Sequence, residues 1–188
     1  MGAEKKILVR KKSLDSKLDI SPGKGKRFAI LLMLFLAFDQ LSKALASRLI
    51  GAGGQADIIR GFFSISNYTN TGMMFGLLPN TANLLVWLSL VAIGLIIYMF
   101  SSLSEEKFGI IGSSLMLAGI MGNLIDRLLF GRVTDMIYFH FWPAFNVADS
   151  CLCIGVFLLF IGMLMSPGKD KKKFIRLKPK DIKRKKKG

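Results

Sequence analysis

Hydrophobic residues gather in four long runs, with polar and mixed stretches between them. The runs are "FAILLMLFLAFDQLSKALA" at about Phe28–Ala46, "NLLVWLSLVAIGLIIYMF" at about Asn83–Phe100, "FGIIGSSLMLAGIMGNLI" at about Phe108–Ile125, and "VADSCLCIGVFLLFIGMLM" at about Val147–Met165. Each approaches the ~20 apolar residues a helix needs to cross a bilayer. In lipid the backbone groups must find partners inside the segment, so each run is predicted to be helical. The third run carries Gly109, Gly112, Gly119 and Gly122 with Ser113 and Ser114, and such small residues let helices approach closely. The stretch 47–82 is too long for a plain connector. Its "FFSIS" portion alternates apolar and polar, which predicts one or two short strands lying on the membrane surface. The expected fold is an integral membrane protein, mainly α, with four transmembrane helices and no internal repeat.

Composition supports this reading, with 52% hydrophobic residues and a mean hydropathy of +0.45. The net charge of +15 looks contradictory until it is mapped. Residues 1–27 hold nine Lys/Arg and three acids, residues 166–188 hold twelve and two, and the middle has a net charge of −1. The charge therefore belongs to two tails that flank apolar spans, and such tails keep termini in the cytoplasm. Anionic lipid would add attraction. The tails carry no recognisable nucleic-acid motif, so no nucleic-acid partner is expected. The predicted organisation is a basic cytoplasmic N-tail (1–27), a membrane domain (28–165) with outward loops 47–82 and 126–146, and a basic cytoplasmic C-tail (166–188). The long basic start and the lack of a clean cleavage site argue that the first span is retained.

Metal and thiol chemistry find little support. Cys151 and Cys153 point to different helix faces and cannot readily pair. His140 is the only histidine, and no zinc pattern is present. No cofactor is expected.

Ionisable residues in or beside spans are functional candidates, and here they share the outward side. Asp39 and Lys43 are i,i+4 neighbours able to pair, and mutual neutralisation is as good a reading as a direct role. Adjacent Asp126 and Arg127 favour an ion-pair or capping cluster at a helix end. Asp135 and Asp149 are harder to explain, because each sits in apolar surroundings with no basic neighbour in sequence. Burial raises a carboxyl pKa, and a second carboxylate raises it further. Two carboxylates sharing a proton can activate water and protonate a carbonyl oxygen, as in aspartic proteases. Alone, Asp149 would read as a helix N-terminal acid stabilised by the dipole.

At this point the motifs resemble the bacterial lipoprotein signal peptidases (signal peptidase II). The matching stretches are "DQLSK" at 39–43, "NTGMMFG" at 70–76, "GNLIDRLLFGRVTDMIYF" at 122–139 and "FNVADS" at 145–150, in the family's order. The resemblance implies a membrane aspartic endopeptidase of the bacterial inner membrane. Such an enzyme cuts the signal peptide from diacylglyceryl-modified prolipoproteins before the lipidated cysteine of the lipobox. It implies a catalytic pair at Asp135 and Asp149. Supporting or substrate-holding positions fall on Asp39, Lys43, Asn70, Gly72, Asn123, Asp126, Arg127, Asn146 and Ala148. It further implies a small outward β-cradle, a short surface helix at roughly 136–142, membrane lipid as surroundings, and a monomer. Met73 and Met74 depart from the family's small residues and bear on substrate preference.

Three rival readings make different demands. A four-helix proton-coupled transporter needs a midplane acid. An anchor or assembly factor tolerates amides at Asp135 and Asp149. A thiol enzyme needs Cys151 beside His140.

Overall fold

Four helices carry the apolar runs and a four-stranded sheet fills the two long connections between them. The computed structural model describes residues 22–72, 81–100 and 107–165. Met73, Met74, residues 1–21 of the basic N-tail and the whole basic C-tail lie outside the described residues, while residues 22–27 of the N-tail are the first turns of a helix. The elements run α1 (Pro22–Leu49), β1 (Gln55–Ile59), β2 (Phe63–Asn70), α2 (Ala82–Phe100), α3 (Lys107–Phe130), β3 (Val133–Phe139), β4 (Trp142–Phe145) and α4 (Val147–Met165). All four helices are long and apolar enough to span a membrane.

The apolar runs understate two of these helices. The first begins at Pro22, ahead of Phe28, and proline suits a first helical turn. There Lys24 Nζ donates to the Phe100 carbonyl at 2.8 Å and lies 4.7 Å from the Phe100 ring centre. Lys24 thereby satisfies a carbonyl of the last turn of α2, where intrahelical donors run out. The third helix continues past Ile125 to Phe130, so residues 126–130 are helical and not loop. It stops at Gly131, whose φ of 68° and N–H bond to the Arg127 carbonyl (3.0 Å) form a left-handed cap.

The most apolar stretch of α3 is 72% buried, against 11–17% for the other three helices. It is the central helix, and its small residues explain why. A Cβ on Gly119 would collide with the Ala148 carbonyl and Leu152 of α4, and one on Gly122 with the Asp39 carboxylate of α1. The other helices turn large apolar side chains such as Met33, Phe38, Trp87 and Phe157 outward, as lipid-facing helices do.

The sheet is antiparallel in the order β1–β2–β3–β4. Residues 136–142 are strand and turn, which corrects the surface helix placed there. Ile137, Tyr138 and Phe139 are β-branched or aromatic, and they pair with the open edge of β2. The register of β2 against β3 shifts between Ile65 and Tyr68, so Ser66 and Asn67 are accommodated in a bulge. Across from it, Tyr68 pairs with Asp135. The alternation in "FFSIS" is present, with the serines on the inner face. Ser64 and Ser66 are fully buried while Phe63 and Ile65 are only half-buried.

Candidate active site

The start of α4 sets the site. Asn146 is its N-cap residue, and its side-chain oxygen accepts from the Asp149 backbone N–H at 2.9 Å. The Asp149 carboxylate reaches back to the Asn146 N–H at 3.3 Å. This is a reciprocal capping box with asparagine and aspartate in the two roles. With its oxygen committed to the cap, the Asn146 amide can point its NH2 only one way. It donates to Asp135 Oδ1 at 2.7 Å. Asn146 thus joins the carboxylate of β3 to the carboxylate of α4.

Two more asparagines repeat the device. Asn70, at the end of β2, has its oxygen held by the Gly72 N–H (2.9 Å) and donates to Asp135 Oδ2 at 3.0 Å. Asn123, on α3, has its oxygen held by Lys43 Nζ (3.0 Å) and donates to Asp149 Oδ1 at 2.8 Å. In each case a cation or a backbone N–H fixes the amide oxygen, which delivers the NH2 to an acid. Both Asp135 oxygens accept such bonds, and Ser66 Oγ fixes its backbone carbonyl at 3.2 Å.

Beneath the pair lies a buried ionic cluster. Lys43 Nζ sits 2.8 Å from Asp39 and 3.0 Å from Asp126, and all three side chains are nearly inaccessible. A buried cation between two carboxylates needs further donors to be tolerated. Gln40 supplies them, donating to Asp39 (3.1 Å), Asp126 (3.1 Å) and the Gly122 carbonyl (3.2 Å). The other Asp39 oxygen accepts the Ala148 N–H at 2.8 Å. A side chain of α1 therefore caps an orphan amide of α4. Asp126 also accepts the Thr134 N–H at 3.4 Å, tying β3 to α3. No ion pair joins Asp126 to Arg127, because adjacent helical residues project in different directions. Arg127 instead donates to the Asn123 and Gly72 carbonyls (3.4 and 3.3 Å). Its buried Nε has no hydrogen-bond partner among the described residues.

A cavity of about 260 Å³ opens between α2, α3 and α4. Leu85, Leu88, Ala92, Ile120 and Leu152 make it largely apolar, while Asn123, Arg127 and Asp149 line its polar part. The Asp135 carboxyl is pushed up to about 6, chiefly by burial and further by the charge of Asp149; the Asn70 and Asn146 donors oppose the rise.

All eleven residues singled out in the sequence belong to this one assembly. Gln40 and Ser66 belong to it as well and were not anticipated. A polar glutamine inside an apolar run was the available signal for the first. Ser66 gave none, since its role depends on the bulge. His140 stands apart, 3.1 Å from Ser64 Oγ and stacked near Tyr138. Cys151 is buried in α4, and both cysteines are free. Among the described residues no group of three or more His, Cys, Asp or Glu is arranged to hold a metal ion.

The chain is similar to known proteins over most of its length. The family model described as signal peptidase (SPase) II matches residues 31–165. The lipoprotein signal peptidase of Bacillus pumilus is 36% identical over 149 residues, covering 77% of this chain and 96% of that protein. That of Bacillus subtilis is 35% identical over 154 residues, covering 77% and 97%. Two solved structures of bacterial membrane enzymes also match. One has a TM-score of 0.70 at 29% identity over 75% of this chain and 89% of that one, the other a TM-score of 0.66 at 30% identity over 74% and 93%. The four-helix architecture with its small sheet and the extent of these matches lead to one conclusion: this chain belongs to the signal peptidase II family of membrane peptidases.

Proposed function

We propose that this protein removes signal peptides from diacylglyceryl-modified prolipoproteins, cutting before the lipidated cysteine, with Asp135 and Asp149 acting together on water. The observation that carries this reading is the Asn146 side chain, which bonds Asp135 directly while capping the helix turn that holds Asp149. Two acids tethered through one amide act as a unit. One takes a proton from water as the water oxygen attacks the scissile carbonyl carbon. The other gives its proton to the carbonyl oxygen. On collapse the C–N bond breaks and the amine of the lipidated cysteine leaves with a proton. The raised Asp135 value fits a carboxyl that can hold a proton near neutrality.

The supporting residues take roles consistent with their contacts. Asn70, Asn123 and Asn146 hold the acids in place. Lys43, Asp39 and Asp126 hold Asn123 and α4. Arg127 has an Nε–H that no described residue engages, beside the cavity, and would donate to a substrate carbonyl. Apolar cavity walls suit acyl chains or signal-peptide side chains. A lipid anchor keeps the scissile bond at the bilayer surface and supplies effective concentration. The basic tails place both termini in the cytoplasm, with the sheet and the acids on the outer side. The enzyme would act as a monomer.

The test is cleavage of a diacylglyceryl-modified prolipoprotein in liposomes, with an unlipidated copy as control and a chelator present. Wild type should cut only the lipidated substrate, and folded Asp135→Asn and Asp149→Asn should each be inert. Near-normal cleavage by either variant refutes the pair and moves suspicion to Asp126.

A further inference from the structure

The two hairpin turns of the sheet lie side by side, and both are unusually apolar. Turn β1–β2 exposes Ile58 (61%), Ile59 (54%) and Phe62 (47%), and turn β3–β4 exposes Phe141 (70%) and Trp142 (46%). The turns are joined to one another. The His140 N–H donates to the Phe62 carbonyl at 3.1 Å, and the Phe62, Phe139 and Phe141 rings lie 5.7 Å apart pairwise. The two turns therefore meet through their phenylalanines, with Ile58, Ile59 and Trp142 exposed on the flanking strand ends. An exposed cluster of this kind marks an interaction surface.

Three observations indicate what covers it. The end of α3 exposes Leu128, Leu129 and Phe130 (62–68%), an apolar surface suited to lipid, and β3 springs only three residues later. With four residues, β4 spans only about 13 Å, which keeps its turn close to the level where α4 enters the bilayer. Arg60, between Ile59 and Phe62 in the β1–β2 turn, is exposed and has no ion pair among the described residues, while the nearby acid Asp57 is engaged by Ser64 Oγ at 2.7 Å. Aromatic rings with an adjacent cation suit the headgroup layer of an anionic membrane.

We propose that the paired turns form a lipid-anchoring tip: Ile58, Ile59, Phe62, Phe141 and Trp142 enter the upper acyl region of the leaflet beside the sheet, and Arg60 binds a lipid phosphate. The consequence is mechanical. The sheet would be held at both ends, at the helices by the Asp126–Thr134 bond and at its tip by lipid, so the strand carrying Asp135 would keep a constant height above the bilayer.

Trp142 reports on this directly, since the chain has only two tryptophans. The test uses the full chain with Trp87→Phe, reconstituted in phosphatidylcholine–phosphatidylglycerol vesicles, and reads Trp142 fluorescence, which is independent of cleavage. Lipids brominated near the top of the acyl chain should quench most of the emission, and aqueous iodide little. Adding Arg60→Glu with Phe141→Ser should reverse that order, with helix content unchanged by circular dichroism. Strong iodide quenching without bromolipid quenching overturns the proposal. Shielding from both quenchers that grows with the protein-to-lipid ratio overturns it in favour of a second copy. Iodide protection that appears only on adding an apolar signal peptide overturns it in favour of the substrate.

Discussion

Asp135 illustrates how a single carboxyl is tuned by its surroundings. Burial favours its neutral form, while two asparagine amides favour its charged form, and burial prevails. The folded state therefore holds a proton that the unfolded chain has already released. Stability contributed by this proton is full below about 4 and is lost as pH rises through about 6, an effect on the order of 2–3 kcal/mol. Unfolding in detergent should show wild type weakening between pH 4 and 7, and Asp135→Asn lacking that dependence. The protonated carboxyl stretch should vanish with a midpoint near 6 in infrared titration and be absent from Asp135→Asn. Asn70→Ala removes a donor to the ionised form, so the midpoint should move to higher pH. Asn146→Ala should lose both the cap, worth about 1 kcal/mol, and the link to Asp135. Its turnover should fall more than its substrate affinity.

Among the elements, the contact of α3 with α1 and α4 is the most demanding. Glycine is needed at 119 and 122 because neighbouring backbone and carboxylate atoms occupy the space a side chain would take. Gly119→Val should part α3 from α4 and destabilise the protein by about 1–3 kcal/mol, measured as a lower thermal midpoint in detergent. Gly122→Ala should be more selective. Its methyl group would press on Asp39, which holds the Ala148 N–H at 2.8 Å, so cleavage should fall with a smaller change in stability. These glycines were visible in the sequence as small residues at close spacing, but that spacing could not show which neighbour each one meets.

For the molecule in its membrane, the proposed topology makes a direct claim. A reporter fused after Gly188 should read as cytoplasmic, and one inserted at the β3–β4 turn should read as outside. The opposite result would place the acids on the wrong side for an exported substrate. Both basic tails bear on this placement through their charge.

The four spans were legible because crossing a bilayer imposes a length and an apolarity that survive in one dimension. Asp135 and Asp149 stood out as candidates for a related reason, since a carboxylate in apolar surroundings needs an explanation. The strand period of β2 could also be read, but not its sense. Alternation tells which residues share a face, while only tertiary partners (Asp57 and His140 for Ser64, the Asp135 carbonyl for Ser66) decided that the serines turn inward and Phe63 and Ile65 outward. Residues 136–142 became strand and not helix because β2 offered an open edge, which is a long-range fact. Gln40, Ser66 and the direction of each asparagine amide were settled by partners up to 86 residues away. Local pattern fixes which segments enter lipid; the buried hydrogen bonds, each of which must be satisfied when water is excluded, fix how they meet.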